Sequence, residues 1–246
     1  MLKMMNEIKY NTEQLVIDIR DLQYDDMNVF LPYISGSRRE RISRFRFDKD
    51  KIRAVIAEII IRYALITRTG CDNDSIEFGV GEKGKPYIIN SEFGIEFNIS
   101  HAGDYVACAV SDAPVGIDVE HIRNKDISFA NRIMTSEERE NLIKLEESAR
   151  TEAFYKLWTI KESYTKLLGL GFFRDFETVN TKNAGEYTIA ESILEDGCKS
   201  DKAYIYSQQL AKDYFLSVSL FEDHIGTLKK TPVMLDFESL IIAFGR

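Results

Sequence analysis

Two long stretches with helical periodicity, each followed by short strand-like segments, restrict the folds that this chain can adopt. The first, "KIRAVIAEIIIRYALI", repeats isoleucines at helical spacing and is expected to end before Gly70. The second, "FYKLWTIKESYTKLL", follows the charged stretch "TSEERENLIKLEESARTE" and is expected to end at Gly169 and Gly171. This repeated order predicts an α+β protein of two similar halves, residues 1–114 and 115–246, although no residue-level repeat accompanies it.

Short apolar or alternating segments after each helix predict strands. In the first half they are "SIEFGV", "YIIN", "IEFNIS" and "YVACAVS", and the last two should form a hairpin around "HAGD". In the second half they are "FETVN", "EYTIA", "KAYIYSQQ" and "YFLSVSLF". Strands joined by tight turns pair antiparallel, so each half should pack a small, mostly antiparallel sheet against its long helix.

Charge and apolar content exclude several classes of protein. The net charge of −8 argues against a general nucleic-acid binder. The beginning of the chain has no apolar stretch like that of a signal peptide, and the most apolar stretch, "VIAEIIIRYALI", is too short to span a bilayer. The three cysteines show no metal-ligand spacing. These features predict a cytoplasmic protein that binds neither nucleic acid nor membrane.

The strand "VGIDVEHI", residues 115–122, carries two carboxylates on one face. Its apolar residues alternate with Gly116, Asp118 and Glu120, so the apolar side chains share one face and the two carboxylates share the other. His121 should point to the opposite face and is left out of any metal site. Alternate strand residues lie roughly 7 Å apart, a distance at which two carboxylates repel by about 2 kcal/mol at an effective dielectric constant near 20. Something in the folded protein must offset this repulsion.

A third carboxylate lies on the second long helix. Glu162 follows Trp158 by four residues and precedes Lys166 by four, so these side chains share a helix face, with Lys161 on a neighbouring one. Taken alone, a Glu–Lys pair at this spacing is ordinary surface stabilisation. Together with the strand pair, however, the carboxylates are the hard oxygen ligands that Mg²⁺ or Mn²⁺ prefers. Magnesium usually binds carboxylates together with substrate phosphates, so a phosphate-bearing substrate is expected.

A basic segment offers the charge to hold such a substrate. From Arg38 to Arg53, "RRERISRFRFDKDKIR" has eight basic and three acidic residues in a chain that is acidic overall. Further along, "GVGEKGKP" fits the beginning of the P-loop pattern, but Pro86 stands where Ser or Thr should bind Mg²⁺. Lys85 is therefore either a point-charge contact to phosphate or a solvated turn lysine. His101 is either a capping or core imidazole or a phosphate contact at the hairpin tip.

Three motifs occur together along the chain. They are "NISH" at a strand end, "GIDVE" about fifteen residues later and "WTIKESYTK" about forty residues further on, with "GKPYI" and the basic "RRERISRFRF" upstream. In this combination the chain resembles the Sfp-type 4′-phosphopantetheinyl transferases over roughly residues 35–225. The resemblance implies two α+β halves related by a pseudo-two-fold axis. Coenzyme A would bind in the cleft between them, with the basic segment in the first half and the metal site in the second.

The resemblance also implies an activity and a set of site residues. Such enzymes transfer 4′-phosphopantetheine from coenzyme A to a serine of an acyl or peptidyl carrier protein and release adenosine 3′,5′-bisphosphate. By position, Asp118, Glu120 and Glu162 resemble the Mg²⁺ ligands. Glu162 or Glu120 also resembles the base, and Lys166 resembles the residue that stabilises the leaving bisphosphate. The residues that resemble coenzyme A contacts, or that back this site, are Arg38, Arg41, Arg53, Lys85, Pro86, Ser100, His101, Lys161 and Lys166.

Two other functions stay open from the residues. A coenzyme A or carrier-protein binding module without turnover would need a broken metal set or no leaving-group lysine, whereas Asp118, Glu120, Glu162 and Lys166 are all present. A different Mg²⁺-dependent nucleotide phosphotransferase would explain the carboxylates and the basic segment. It would not explain why "NISH", "GIDVE" and "WTIKES" occur together.

The segment "GLGFFRDF", residues 169–176, is expected to bind the carrier protein. The carrier serine must reach the diphosphate, so the carrier must lie where the second long helix ends. Leu170, Phe172 and Phe173 would be interface anchors, and Arg174 would face an acidic carrier helix. The alternative is that both phenylalanines pack into the core. The protein itself is expected to be a monomer.

Overall fold

The computed structural model describes residues 12–89, 91–123, 130, 132–170, 176–192 and 202–244. The helices in these ranges are α1 (Gly36–Ser43), α2 (Asp48–Thr69), α3 (Ser136–Ile143), α4 (Glu147–Leu167) and α5 (Phe237–Phe244). Within the described part of the chain, none of them has the length and apolar character needed to cross a membrane. The strands are β1 (Glu13–Asp18), β2 (Phe78–Val80), β3 (Pro86–Ile88), β4 (Glu96–Ala102), β5 (Tyr105–Ser111), β6 (Val115–His121), β7 (Val179–Ala184), β8 (Tyr187–Ser192), β9 (Ala203–Ala211), β10 (Tyr214–Phe221) and β11 (Val233–Leu235).

The described residues form four layers in the order helix, sheet, sheet, helix. One main sheet has the strand order β11–β1–β5–β4, and the other has the order β6–β10–β9–β8–β7. Side chains alternate along each strand, so Leu15 and Ile17 of β1 pack on the α2 side while Val16 enters the core between the sheets. On the outer face of the second sheet, Ile205 packs with Tyr164 of α4. Each sheet therefore has a long helix on one side and the other sheet on its second side.

The two halves share one strand arrangement. In the first half β1 pairs antiparallel with β5, and β5 pairs antiparallel with β4. In the second half β6 pairs antiparallel with β10, and β10 with β9. A short helix and a long helix, α1–α2 and α3–α4, occupy the same place in each order. This correspondence confirms the predicted α+β fold of two similar halves.

The long helices end where glycines adopt left-handed backbone conformations. Gly70 follows α2 with φ of 70°, and its N–H donates to the carbonyl of Ile66. Gly169 follows α4 with φ of 65°. The predicted ends at Gly70 and Gly169 are confirmed, whereas Gly171 lies outside the described residues.

The charged stretch before the second long helix is itself helical. It forms α3 and the first turn of α4. Thr135 accepts the N–H of Glu138 through its side chain, and the Glu138 carboxylate accepts the N–H of Thr135, a capping box that begins α3. The segment "FETVN" begins with a 3₁₀ turn, so β7 begins only at Val179.

The end of the described chain returns to the first half. β11 runs parallel to β1 at the edge of the first sheet. Leu240 and Phe244 of α5 are buried in the core that α2 covers, and Phe237 makes an edge contact with Phe30. The residue pattern does not predict β1, β11 or α5. Residues 233–244 thus pack with the half that begins the chain, and the boundary at residues 114/115 stays a prediction.

Candidate active site

The junction of the two halves brings together β6, β4 and α4. β6 is an edge strand of its sheet, and the side-chain oxygen of Asn98 in β4 accepts the N–H of Ile117 at 2.9 Å. Gly116 lies so close to α4 that a methyl group in its place would be 2.0 Å from the carbonyl oxygen of Ser163. Glycine at this position therefore lets the helix lie directly on the strand. Asp118 and Glu120 follow on the same face of β6 and meet the helix further along.

Asp118, which is buried, forms an ion pair with the partly exposed Lys166. The Lys166 ammonium donates to Oδ1 of Asp118 at 2.6 Å and to the Ser100 hydroxyl at 2.9 Å, and that hydroxyl donates to the same Oδ1 at 2.8 Å. Burial raises the pKa of Asp118, and the Lys166 charge opposes this rise. The second carboxylate oxygen, Oδ2, is buried and has no hydrogen-bond partner among the described residues. A buried acceptor of this kind is costly unless a ligand satisfies it.

Glu120 lies two residues further along β6 and is half-buried. Its Oε1 accepts a hydrogen bond from the indole N–H of Trp158 at 2.8 Å. Burial, followed by repulsion from Asp118, raises the pKa of Glu120 to about 7, although the Trp158 hydrogen bond acts to lower it. The carboxylate is therefore destabilised as an anion by its surroundings and held in place by a neutral donor.

Glu162 approaches the same point from α4. It is only 6% exposed. Burial, then the negative charge of Asp118, raises the pKa of Glu162 to about 7, while Lys166 acts to lower it. Glu120 adds to the rise. The fold thus brings together the three carboxylates that the strand and helix spacings single out.

The carboxylate group, defined as Asp118, Glu120 and Glu162, has the chemistry of a divalent-cation site. The residues that the structure describes contain no set of three His, Cys, Asp or Glu side chains already in metal-binding geometry. Nevertheless, Asp118 raises the pKa of both glutamates and keeps a buried oxygen without a donor. A bound cation would satisfy that oxygen and remove the repulsion, and an all-oxygen donor set favours Mg²⁺ or Mn²⁺. The residues present therefore fit a hard divalent cation.

A cavity of about 410 Å³ opens beside the carboxylate group. Its wall contains Glu120 and Trp158 from the second half and Arg53 and His101 from the first half. Arg123 lines the cavity as well. Two arginines and the exposed imidazole of His101 therefore border the same space as the Glu120 carboxylate. Such a mixture of charges suits an anionic ligand that reaches toward a metal ion.

Arg53 and His101 differ in how they are held. The Arg53 guanidinium donates to the carbonyl of Gly103 at 2.6 Å and to the Asp50 carboxylate at 2.7 Å, which fixes it against the β4–β5 turn. Partial desolvation on the cavity wall, followed by the charges of Arg53 and Lys166, lowers the pKa of His101. His101 is exposed on β4, not a core imidazole.

Arg38 and Arg41 are not among the residues that line this cavity. The Nε of Arg38 lies 3.3 Å from the Glu58 carboxylate, and its guanidinium also donates to the carbonyl of Ala54. Burial lowers the pKa of Arg38, and Glu58 opposes that shift. Glu58 in addition binds the buried Arg62 in a salt bridge of 2.9 Å. Arg41 is exposed on α1.

Lys85 reaches from the first half to the end of α4. Its ammonium donates to the carbonyl of Lys166 at 2.9 Å and to the carbonyl of Val115 at 3.4 Å. Burial lowers the pKa of Lys85, and Glu96 opposes the shift. Lys85 is therefore not a solvated turn lysine. Pro86, which follows it, begins β3.

Lys161 does not join the carboxylate group. Its side chain has no exposed surface, and its ammonium donates to the Glu138 carboxylate at 2.6 Å and to the carbonyls of Ile133 and Phe176 at 2.9 and 3.1 Å. A fully buried ammonium that is satisfied by three acceptors cannot also contact coenzyme A. This arrangement corrects the prediction that Lys161 belongs to the substrate site.

Trp158 is the site residue whose role the sequence does not reveal. Its position four residues before Glu162 places it on the correct helix face, but nothing in the pattern predicts its hydrogen bond to Glu120. The predicted docking segment is described only at its ends, because Phe172, Phe173 and Arg174 lie outside the described residues. At those ends, Leu170 is half-buried and Phe176 packs against Trp158 with ring centroids 5.2 Å apart.

Comparison with known proteins connects this site to one family. Residues 114–219, which contain β6 and α4, match the 4′-phosphopantetheinyl transferase superfamily, and residues 23–113 match the 4′-phosphopantetheinyl transferase, N-terminal family. A 4′-phosphopantetheinyl transferase of Bacillus subtilis is 33% identical over 201 residues, which cover 81% of this chain and 87% of the relative. The 4′-phosphopantetheinyl transferase gsp of Aneurinibacillus migulanus is 37% identical and covers 76% of this chain and 77% of its own.

One solved structure is also similar, although only weakly. The crystal structure of Thermotoga maritima holo-[acyl-carrier-protein] synthase aligns with a TM-score of 0.37 and 20% identity over 45% of this chain and 63% of its own, too little to bear on the assignment. The assignment rests instead on the sequence relatives, the first of which is matched over most of its length. The chain belongs to the 4′-phosphopantetheinyl transferase family.

Proposed function

We propose that this protein transfers 4′-phosphopantetheine from coenzyme A to a carrier-protein serine at the junction of its halves, with the carboxylate group holding Mg²⁺ or Mn²⁺. As a 4′-phosphopantetheinyl transferase, it is an enzyme that uses coenzyme A as substrate and acts on carrier proteins. The observation that carries the proposed site is that Asp118, Glu120 and Glu162 lie together beside Lys166, with Asp118 and Glu162 buried.

The reaction exchanges one oxygen–phosphorus bond for another. The carrier serine oxygen bonds to the phosphorus that bears pantetheine, and the bond from that phosphorus to the bridging oxygen breaks. Adenosine 3′,5′-bisphosphate leaves with the electron pair. Little covalent work is left to the protein beyond positioning and charge neutralisation. When bound, the divalent cation would neutralise charge on the diphosphate.

The serine proton needs an acceptor close to the reacting phosphorus. Burial, followed by repulsion from Asp118, raises the pKa of Glu120 and of Glu162 to about 7 while no cation is bound, and a bound cation would lower both values. The choice of base therefore rests on position, because both carboxylates lie beside Asp118. Either glutamate is proposed to take the proton, directly or through a water molecule, and both alternatives stay open.

Lys166 is proposed to stabilise the leaving group. Its ammonium pairs with Asp118 and with the Ser100 hydroxyl, so Ser100 backs the site by holding both partners. Once other positive charge neutralises Asp118, the ammonium becomes available to the bridging oxygen, which gains negative charge as its bond breaks.

The nucleotide of coenzyme A is proposed to bind along the first half. Arg53 and His101 face the cavity, while Arg38 and Arg41 add positive charge nearby on the chain. Coenzyme A that lacks its 3′-phosphate should bind more weakly to the wild type and lose less on an Arg38→Ala, Arg41→Ala, Arg53→Ala triple variant. Equal binding of both forms to both proteins would exclude these arginines as phosphate ligands.

The partner is proposed to be an acyl or peptidyl carrier protein that docks near residues 169–176, and the enzyme to act as a monomer. Support for the docking position is its place directly after α4, which carries Glu162 and Lys166. The cytoplasm is the proposed compartment, since the described cysteines, Cys71 and Cys108, are free thiols.

The test of the proposed function is the mass of an apo-carrier protein after incubation with this protein, coenzyme A and Mg²⁺. The carrier should gain roughly 340 Da, the mass of the transferred group. Asp118→Asn should abolish the gain, whereas the matched control Asp213→Asn, at an exposed turn, should retain it. A full gain in excess chelator would exclude the metal. Coenzyme A binding without any mass gain would instead identify a non-catalytic binding module.

A further inference from the structure

We infer that Trp158 is a positioning residue that orients Glu120 for the divalent cation, an inference that rests on the proposed metal site. The indole N–H of Trp158 donates to Oε1 of Glu120 at 2.8 Å. Groups that hydrogen-bond a metal ligand from behind fix its orientation, and losing them typically weakens metal affinity 10- to 100-fold.

The indole ring is itself held firmly. Trp158 is half-buried and packs against the ring of Phe176, with centroids 5.2 Å apart and planes at 47°. Phe176 is buried in a core cluster that also contains Phe154 and Tyr155 of α4. The hydrogen bond to Glu120 therefore comes from a donor with little freedom to move, which is the requirement for setting the direction of a carboxylate.

Trp158 also belongs to the same rigid element as the third carboxylate. Glu162 follows it by one helical turn on the same face of α4. One helix thus supplies one carboxylate and fixes a second one on β6. A shift of α4 would move both together, so the distance between Glu120 and Glu162 is coupled to a single helix position.

The neutral character of the donor distinguishes Trp158 from Lys166. The Lys166 ammonium compensates the charge of Asp118 and would compete with a divalent cation for that carboxylate. An indole N–H orients Glu120 without compensating its charge. Within the carboxylate group, Asp118 thus has a charged hydrogen-bond donor, Lys166, whereas Glu120 has a neutral donor, Trp158.

The competing explanation is that Trp158 only fills space beside Phe176. Packing alone would contribute to stability but not to cation affinity. The two roles can be separated because Trp158 is the single tryptophan of the chain, so its fluorescence reports on this one site.

The experiment measures the Mn²⁺ affinity of each protein from the electron paramagnetic resonance signal of free Mn²⁺, in the absence of coenzyme A. The melting temperature of each protein is measured as well. Trp158→Phe should bind Mn²⁺ about 10-fold more weakly than the wild type. The control Tyr87→Phe removes a hydroxyl from an exposed ring on β3 that does not line the cavity, and it should leave Mn²⁺ affinity unchanged. Adding Trp158→Phe to Glu120→Gln should cause no further loss of Mn²⁺ affinity, because position 120 then has no carboxylate for Trp158 to orient.

Trp158 fluorescence gives a second measurement, in which the tryptophan itself is left in place. Mg²⁺ should change the emission of the wild type and leave that of Glu120→Gln unchanged. Equal Mn²⁺ affinity of wild type and Trp158→Phe, or a Mg²⁺ response that persists in Glu120→Gln, would overturn the positioning role. Absence of Mn²⁺ binding to the wild type would instead remove the proposed metal site, and the inference with it.

Discussion

Gly116→Ala should disrupt the active site without removing any of its functional groups. The added methyl would lie 2.0 Å from the carbonyl oxygen of Ser163 and 2.5 Å from the backbone nitrogen of Leu167. Ordinary contact begins at 3.4 Å, so α4 would have to withdraw from β6 by about 1.4 Å. The obstacle is helix backbone, which cannot rotate away as a side chain could.

This withdrawal separates α4 from the strand that carries its partners. Glu162 and Lys166 would move away from Asp118, whose bond to the Lys166 ammonium measures 2.6 Å. Misplacement of catalytic groups by about 1 Å can cost about 100-fold in rate. Overpacking typically costs about 2 kcal/mol, which in a domain of this size lowers the melting temperature by about 6 °C. We therefore expect a loss of kcat far larger than the modest loss of stability explains.

The assay is transfer to a carrier protein at saturating coenzyme A, beside thermal unfolding. Gly226→Ala is the matched control, because a methyl group there meets nothing within 4 Å. The control should keep both its rate and its melting temperature. If Gly116→Ala kept kcat within twofold of the wild type, direct contact between α4 and β6 would not be what aligns the carboxylate group.

Three further changes test other parts of the site. Lys166→Ala should lower kcat about 100-fold with little change in coenzyme A affinity, because its charge matters most as the leaving oxygen becomes negative; a change confined to affinity would contradict this. In chelator, the free energy of unfolding should fall as pH rises from about 4.5 to about 7, because Glu120 and Glu162 bind protons more tightly when folded; Glu162→Gln should flatten this fall in urea titrations, and an unchanged slope would refute it. Leu170→Ala with Phe173→Ala should raise the carrier KM alone, whereas a large drop in melting temperature with an unaltered KM would identify core packing.

The parts of the site that sequence predicts well are those set by local periodicity. Alternation along β6 places Asp118 and Glu120 on one face, and helical spacing places Glu162 and Lys166 on one face of α4. The family resemblance adds that the two faces meet. Neither source indicates that Gly116 lets them meet so closely, because that depends on the packing of backbone against backbone.

The prediction for Lys161 failed because its environment is non-local. Its neighbour Glu162 belongs to the site, as do Trp158 and Lys166 on the same helix, so proximity along the chain favours a substrate contact. The fold instead brings Glu138 from α3 and the carbonyls of Ile133 and Phe176 around its ammonium. Lys85 shows the same effect, since its acceptors, the carbonyls of Lys166 and Val115, belong to the other half of the chain. The sequence identifies a lysine ammonium as a hydrogen-bond donor, but the groups that accept its hydrogen bonds depend on tertiary structure.

The contacts along β6 also explain why the cavity opens where it does. At Gly116 the strand has no side chain, and α4 touches its backbone. Two residues further, the gap accommodates the Asp118–Lys166 pair, and at Glu120 it accommodates a carboxylate and the indole of Trp158. The groups that bridge strand and helix thus become larger from Gly116 toward Glu120. The cavity of about 410 Å³ lies at the Glu120 end of the strand, where Glu120 and Trp158 form part of its wall.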